Sequence, residues 1–505
     1  MQQLTGLDAA FLAMETRTTY GHIGSVIVLD AANAKEPLTL ERLTAHTESR
    51  LHLLPPYRRR LLRVPLDLDQ PYWIDDEDFD IEFHVRELAL PKPGNEAQLA
   101  DQVARLHARP LDRSRPLWET YLIHGLSGGR LAVYTKIHHS AIDGVSGNEI
   151  LTALLDVSPD GRDVGEPGDW NPEHRPSTAG LLARSALSLS AQPVRAVRFA
   201  GALLKTLPTL ATVPGRPRVP VIDRFVLDQV APREGSEVLA RTSLRAPKTP
   251  FNRPITPHRR WGFASVSLDD VRTVRKAFPG MTVNDIAMAM CAGALRRYLL
   301  ERDALPDEPL VSAVPVSVRS EEESSALGNR VSMMFAPLPT TEPDPVKRLE
   351  ATHESMRGAK DQHQALPADL LSDVTQFAMP AVAARAAQLA ARLRIVERVN
   401  PFNLIISNVP GPNVKLYLAG TPLLATYPVS AITDGQGLNI TLLGYLGQLH
   451  FGLLACRELV PDVDELVGYL VDELETLVAL AGASSGSSES SHSSTSAAVH
   501  SGASS

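Results

Sequence analysis

The order of apolar and polar positions divides the chain into alternating strand-like and helix-like stretches. Residues 79–85 (FDIEFHV) alternate strictly, which predicts a half-buried strand. Residues 98–108 carry helical spacing, and the apolar run 131–137, following Gly128 and Gly129, predicts a buried strand. From Gly147 to Val157 a helix is expected, with Ile150, Leu151, Leu154 and Leu155 on one face. The pattern resumes with a strand over 261–268, a long helix over 282–299, and buried strands over 310–318 and 404–407. Residues 438–454 read as a hairpin turning at Gly447. The last helix begins with a capping-box-like pair, Asp462 and Glu465. Its apolar stripe is Val463, Leu466, Val467, Leu470, Leu474, Leu477 and Val478. Strands and helices mixed in this way indicate an α/β chain.

Between these two series the pattern breaks. Residues 157–178 are rich in Pro, Gly and Asp, which is loop chemistry. Residues 174–222 hold no Asp or Glu, yet carry Arg175, Arg184, Arg195, Arg198, Lys205, Arg216 and Arg218. Pro193 and Pro208 would interrupt any helix there. The expected division is a first half over 1–175, a basic crossover over 176–250, a second half over 251–480, and a tail over 481–505. The tail is Ser-, Gly- and Ala-rich and too polar to offset its chain entropy, so disorder is expected. The crossover fits either helices lying on anionic lipid or a solvated segment packed on the protein.

Composition narrows the function classes. The chain has 505 residues, 44% apolar and 21% charged, enough for more than one core. A net charge of −8 argues against nucleic-acid binding. Cys291 and Cys456 lie far apart, so neither a disulfide scaffold nor a zinc spacing is present, and a reducing compartment is expected. The N-terminus lacks the pattern of a secretory signal, and no apolar run reaches spanning length, so any membrane contact is expected to be peripheral. The acidic run Asp75, Asp76, Glu77, Asp78 reads as solvated surface rather than a metal site.

The chemistry concentrates in residues 136–144 (KIHHSAIDG), where a buried strand ends and a helix begins. Within a strand His138 and His139 would face opposite sides; on a loop either could be aimed into a cleft. Gly144 permits a sharp turn directly after Asp143. A neutral histidine aimed in this way suits general-base work, because its pKa lies near working pH. Two structural histidines or a metal pair are the alternatives; no third His or Cys lies nearby for a metal.

HHSAIDG resembles the HHxxxDG motif of the bacterial wax ester synthase/acyl-CoA:diacylglycerol acyltransferase family, in its mycobacterial triacylglycerol-synthase form. Further segments resemble that family in the same order: the opening LTGLDAAFLAMET, the PLW element at Pro116, Leu117 and Trp118, and the ND element at Asn284 and Asp285. After these come VPVSVR ending at Arg319, GNR at 328–330, and SNVPGP beginning at Ser407 and Asn408. The resemblance spans roughly residues 4–480. It implies a two-domain chloramphenicol acetyltransferase-like fold with the active site in a tunnel between the halves.

It also implies His139 as general base, His138 as a supporting neighbour, and Asp143 as a loop-holding carboxylate whose candidate partner is Arg319. Asn284 and Asp285 are expected to cap a helix and support the site, with Thr282 or Asn284 as the cap. Pro116, Leu117 and Trp118 are expected to be packing or tunnel wall. Ser407 and Asn408 could donate to an oxyanion or form a turn before Pro410. The implied co-substrate is long-chain acyl-CoA, with diacylglycerol or a long-chain fatty alcohol as acceptor and no bound cofactor or metal. The implied setting is cytoplasmic, at a membrane or lipid-droplet surface. A carrier-protein-dependent acyltransferase and an inactive lipid binder remain as alternatives.

Overall fold

A computed structural model describes residues 1–142, 147–166, 168, 170–185, 246–317, 331–364 and 400–492. Two six-stranded sheets dominate. The first contains β2 (His22–Asp30), β5 (Val85–Ala89), β6 (Trp118–Leu126), β7 (Arg130–His138), β12 (Tyr417–Leu418) and β13 (Thr421–Val429), in the order β12-β13-β2-β7-β6-β5. The second contains β8 (Arg259–Ser267), β9 (Leu310–Ser317), β10 (Val331–Leu338), β11 (Leu404–Val409), β14 (Leu438–Tyr445) and β15 (Gln448–Cys456), in the order β10-β9-β11-β14-β15-β8. A small third sheet joins β1 (Gln2–Gln3), β3 (Arg59–Leu62) and β4 (Tyr72–Asp75). Both large sheets are mixed: β5 runs parallel to β6, and β11 runs parallel to β9 and β14.

The helices are α1 (Gly6–Met14), α2 (Leu40–Glu48), α3 (Ile81–His84), α4 (Glu96–His107), α5 (Gly147–Leu154), α6 (Leu268–Ala277), α7 (Val283–Leu300), α8 (Pro345–Gln364) and α9 (Val463–His492). α7 buries every residue from Asp285 to Leu295, as expected of a helix apolar all round, and packs among α6, α8 and α9 beside the second sheet. α4 crosses to contact β8, so the halves meet through a helix as well as through sheets.

Most expected elements are present, and the hairpin turns through Leu446 and Gly447 at φ 45° and 76°, as a tight two-residue turn requires. Three differences have physical causes. Residues 79–85 are not one strand: the Asp80 side chain accepts from the Glu82 N–H at 3.0 Å, nucleating α3, and extended pairing starts only at Val85. β12 and β13 belong by sequence to the second half but lie in the first sheet, where β13 pairs with β2 from Gly24 to Leu29. α9 continues past residue 480 to His492, through the start of the expected disordered tail; once anchored by its stripe as far as buried Ala481, a helix propagates cheaply. Asp462 and Glu465 both turn to Arg302, with Glu465 at 2.7 Å. Of the basic crossover, residues 178–185 are helical, with Leu181 buried against Leu62 and Ile74; residues 186–245 and 493–505 lie outside the described part.

Candidate active site

β7 delivers the histidine pair to its end, and the chain breaks into a single 3-10 turn, His139–Ile142. Two backbone bonds fix this junction: the His138 N–H donates to the Leu117 carbonyl at 2.9 Å, and the His139 N–H donates to the Gly21 carbonyl at 2.8 Å. The turn sends the two side chains to different surroundings. His138 is buried, while His139 is half-buried with its ring stacked on Phe11, centroids 4.4 Å apart.

His138 sits in a polar network. Its Nδ1 accepts from the Ser140 N–H at 3.1 Å and lies 2.5 Å from the Ser140 Oγ. Its Nε2 faces Glu15 Oε1 at 3.2 Å. The same Glu15 oxygen accepts from the Gly21 N–H at 2.7 Å, and Oε2 accepts from Arg113 Nε at 3.1 Å. Burial pushes the Glu15 carboxyl up, but the hydrogen bond from His138, the Gly21 N–H and Arg113 outweigh it and hold the pKa at about 2. Gly21 is needed for space: a Cβ there would lie 2.5 Å from His138 Nε2.

Glu15 reaches this position because α1 stops there. Thr5 caps the helix, accepting from the Asp8 N–H at 3.2 Å, and Leu4 and Leu12 bury in the core beneath the site. At Glu15 the chain turns extended, φ −65° and ψ 132°. Glu15, Phe11, Gly21, Arg113 and Ser140 were not singled out by the sequence. Phe11 and Glu15 fall within the opening motif, Ser140 within the histidine motif itself and Arg113 just before the PLW element, which were the available signals.

The PLW element stands directly behind the pair. Trp118 pairs in register with Ile137, stacks on Tyr57 and His84 at centroid distances of 4.2 and 4.5 Å, and donates from Nε1 to the Tyr57 carbonyl at 2.9 Å. Pro116 bridges to Arg60. Beneath lies a buried ion pair, Lys136 Nζ to Glu119 Oε2 at 3.1 Å, with the Leu106 and Arg109 carbonyls completing the ammonium's bonds. Burial lowers the Lys136 pKa against the pull of Glu119. His22, opposite His138 in register, and His107 are pushed well below the usual histidine range by burial.

The ND and SNVPGP elements form a second group. Thr282 is the N-cap of α7: it accepts from the Asp285 N–H at 3.1 Å, and its own N–H donates to Asp285 Oδ2 at 2.9 Å. Asp285 also receives His353 Nδ1 at 2.8 Å. Asn408 Nδ2 donates to Asn284 Oδ1 at 3.2 Å, joining the two motifs. Ser407 and Asn408 lie in β11 rather than in a turn, since pairing with β14 continues to Val409. Val409 packs against the cluster that holds Leu117, Trp118, Ile137 and Ala141, together with Leu443 and Tyr445 of the second half. The two groups therefore share one apolar wall. Asp143, Gly144 and Arg319 lie outside the described residues, and with them the expected Asp143–Arg319 pair. Of the acidic run, Glu77 and Asp78 are exposed as expected, whereas Asp75 pairs with Arg59 at 3.4 Å and Asp76 is buried and pairs with Arg60 at 3.0 Å. No group of metal-ligating side chains occurs among the described residues.

The starter condensation domain of rhizomide synthetase shares the fold, with TM-score 0.51 at 14% identity, over 95% of this chain and 94% of that one. Sequence then fixes the family. Residues 4–287 match the wax ester synthase/diacylglycerol acyltransferase catalytic domain, residues 327–478 match the WS/DGAT C-terminal domain, and the chain belongs to this family. A probable diacylglycerol O-acyltransferase, tgs2, of Mycobacterium tuberculosis is 35% identical over 93% of this chain and 97% of its own length. The O-acyltransferase WSD of Acinetobacter baylyi is 31% identical over 94% and 96%. The wax ester synthase/diacylglycerol acyltransferase from Marinobacter aquaeolei superposes with TM-score 0.66 at 31% identity, over 95% of this chain and 100% of that one.

Proposed function

We propose that the protein transfers a long-chain acyl group from acyl-CoA to the free hydroxyl of diacylglycerol, forming triacylglycerol, with His139 as general base. The observation that carries this reading is the contrast within the histidine pair. His138 is committed to a buried network, whereas His139 stays half-exposed on a fixed turn beside the wall shared by both halves. His139 takes the hydroxyl proton as the acceptor oxygen attacks the thioester carbonyl. The carbon–sulfur bond breaks, and the thiolate leaves as CoASH with the proton from His139. Acyl passes directly between substrates, so the reaction calls for no nucleophilic side chain, metal or bound cofactor. The curated relatives named as diacylglycerol acyltransferases favour a glyceride acceptor, and the name of the Marinobacter protein keeps a fatty alcohol as the second reading.

Both acceptors are lipids, so the protein would work at a membrane or lipid-droplet surface. No helix among the described residues is long and apolar enough to cross a membrane. The basic, acid-free stretch 174–222 supplies the charge for peripheral docking on anionic lipid.

The test is thiol release from palmitoyl-CoA with dioleoylglycerol, hexadecanol or no acceptor. Acceptor-dependent release is expected, falling on the order of 10²–10⁴-fold in a folded His139→Ala variant. Faster turnover with hexadecanol would make the enzyme a wax ester synthase; an unaffected His139→Ala variant would remove the mechanism. In a separate vesicle assay, reversing Arg184, Arg195 and Arg198 to Glu should abolish co-sedimentation with anionic vesicles, and intact binding would remove the docking role.

A further inference from the structure

The reaction proposed above, on which this inference rests, needs His139 held in one attitude, and helix α1 with its C-cap Glu15 touches both histidines. We propose that Glu15 is a positioning residue for acyl transfer: its carboxylate fixes the tautomer of His138, and His138 fixes the turn that carries His139.

The bonds define the tautomer. A backbone N–H can only donate, so the Ser140 N–H at 3.1 Å requires His138 Nδ1 to be a bare acceptor nitrogen. The ring hydrogen then sits on Nε2, which faces Glu15 Oε1 at 3.2 Å. An ionised carboxylate at that place favours this tautomer over the other, and Arg113 with the Gly21 N–H keeps Glu15 ionised. In the opposite tautomer, Nδ1–H would confront the Ser140 N–H, donor against donor, and push the His139–Ile142 turn away from the strand end.

The same helix acts on the base from its other side. Phe11 precedes Glu15 by one helical turn and stacks on His139. The Gly21 carbonyl receives the His139 N–H, while Gly21's missing side chain leaves the line from Glu15 to His138 open. In this role Glu15 acts through His138 and Ser140. The opening segment thus becomes part of the catalytic apparatus despite lying more than a hundred residues from the histidines, with Glu15 and His138 separated by 123 positions.

The experiment has two arms. In ¹⁵N-histidine NMR, His138 should be protonated at Nε2 in the wild type and shift toward the Nδ1–H form in Glu15→Gln. In kinetics, Glu15→Gln should lower kcat roughly 10–100-fold, the scale of a small misplacement, with KM for acyl-CoA and acceptor within about twofold. His138→Gln should lose a similar factor, and the double variant should be no slower than His138→Gln alone. An unchanged tautomer, an unchanged kcat in folded Glu15→Gln, or losses that multiply in the double variant would each overturn the proposal. Should Glu15→Gln fail to fold, Glu15→Asp, which draws the carboxylate back by one methylene, is read the same way. If the wild type releases no CoASH, the acyl-transfer reading falls, while the NMR arm still decides the Glu15–His138 link.

Discussion

Glu15 gives the histidine-bearing end of the first sheet an acid limit. Its folded pKa of about 2 lies below the ordinary 4.5, so it contributes stability that is fully present above the unfolded value and is lost as pH falls toward 2. The difference in thermal midpoint between wild type and Glu15→Gln should therefore be constant near neutral pH and shrink between about 4.5 and 2. A difference that persists unchanged at the acid end would contradict the linkage, and differential scanning calorimetry across that range measures it. The histidine pair was legible in the sequence because its members are adjacent and end an apolar run. Its partners were not: Arg113 and Glu15 stand 98 positions apart, and only the folded loop from Glu15 to Gly21 brings them under His138. A lone Glu, Gly or Arg carries no local pattern that marks such a meeting.

The elements show where local chemistry outruns periodicity. Residues 79–85 alternate as a strand should, yet one Asp side chain at the right place turns the segment into a helical cap. Where pattern and cap agree, as in α7, the expectation and the structure coincide. The reciprocal bonds of Thr282 and Asp285 start that helix, and the Asn284–Asn408 bond ties it to β11. Thr282→Ala should cost about 1 kcal/mol in a urea titration, the ordinary worth of an N-cap. Because the cap also sets where Asn284 faces, its kcat should fall more than its stability implies. A loss of stability with kcat untouched would confine the ND element to capping.

At the scale of the whole molecule, the break in pattern near residue 157 and the acid-free stretch after it led to the expectation of two halves joined by a crossover, most of which lies outside the described residues. The exchange of β13 was not, because nothing in the local run 421–429 states which sheet it joins. Its partner β2 lies about four hundred residues earlier, and pairing at that range is set by which apolar face remains uncovered.

That exchanged strand makes the polypeptide a split enzyme in waiting. A protease site engineered between residues 186 and 245 would sever the backbone without parting the pieces, since β13 would stay laced into the sheet of the other fragment. The nicked pieces should elute together on a sizing column and come apart only in denaturant. Made alone, the N-terminal piece would present β2 as a bare edge with Val26 and Val28 uncovered, and should accumulate as inclusion bodies until its complement is co-expressed.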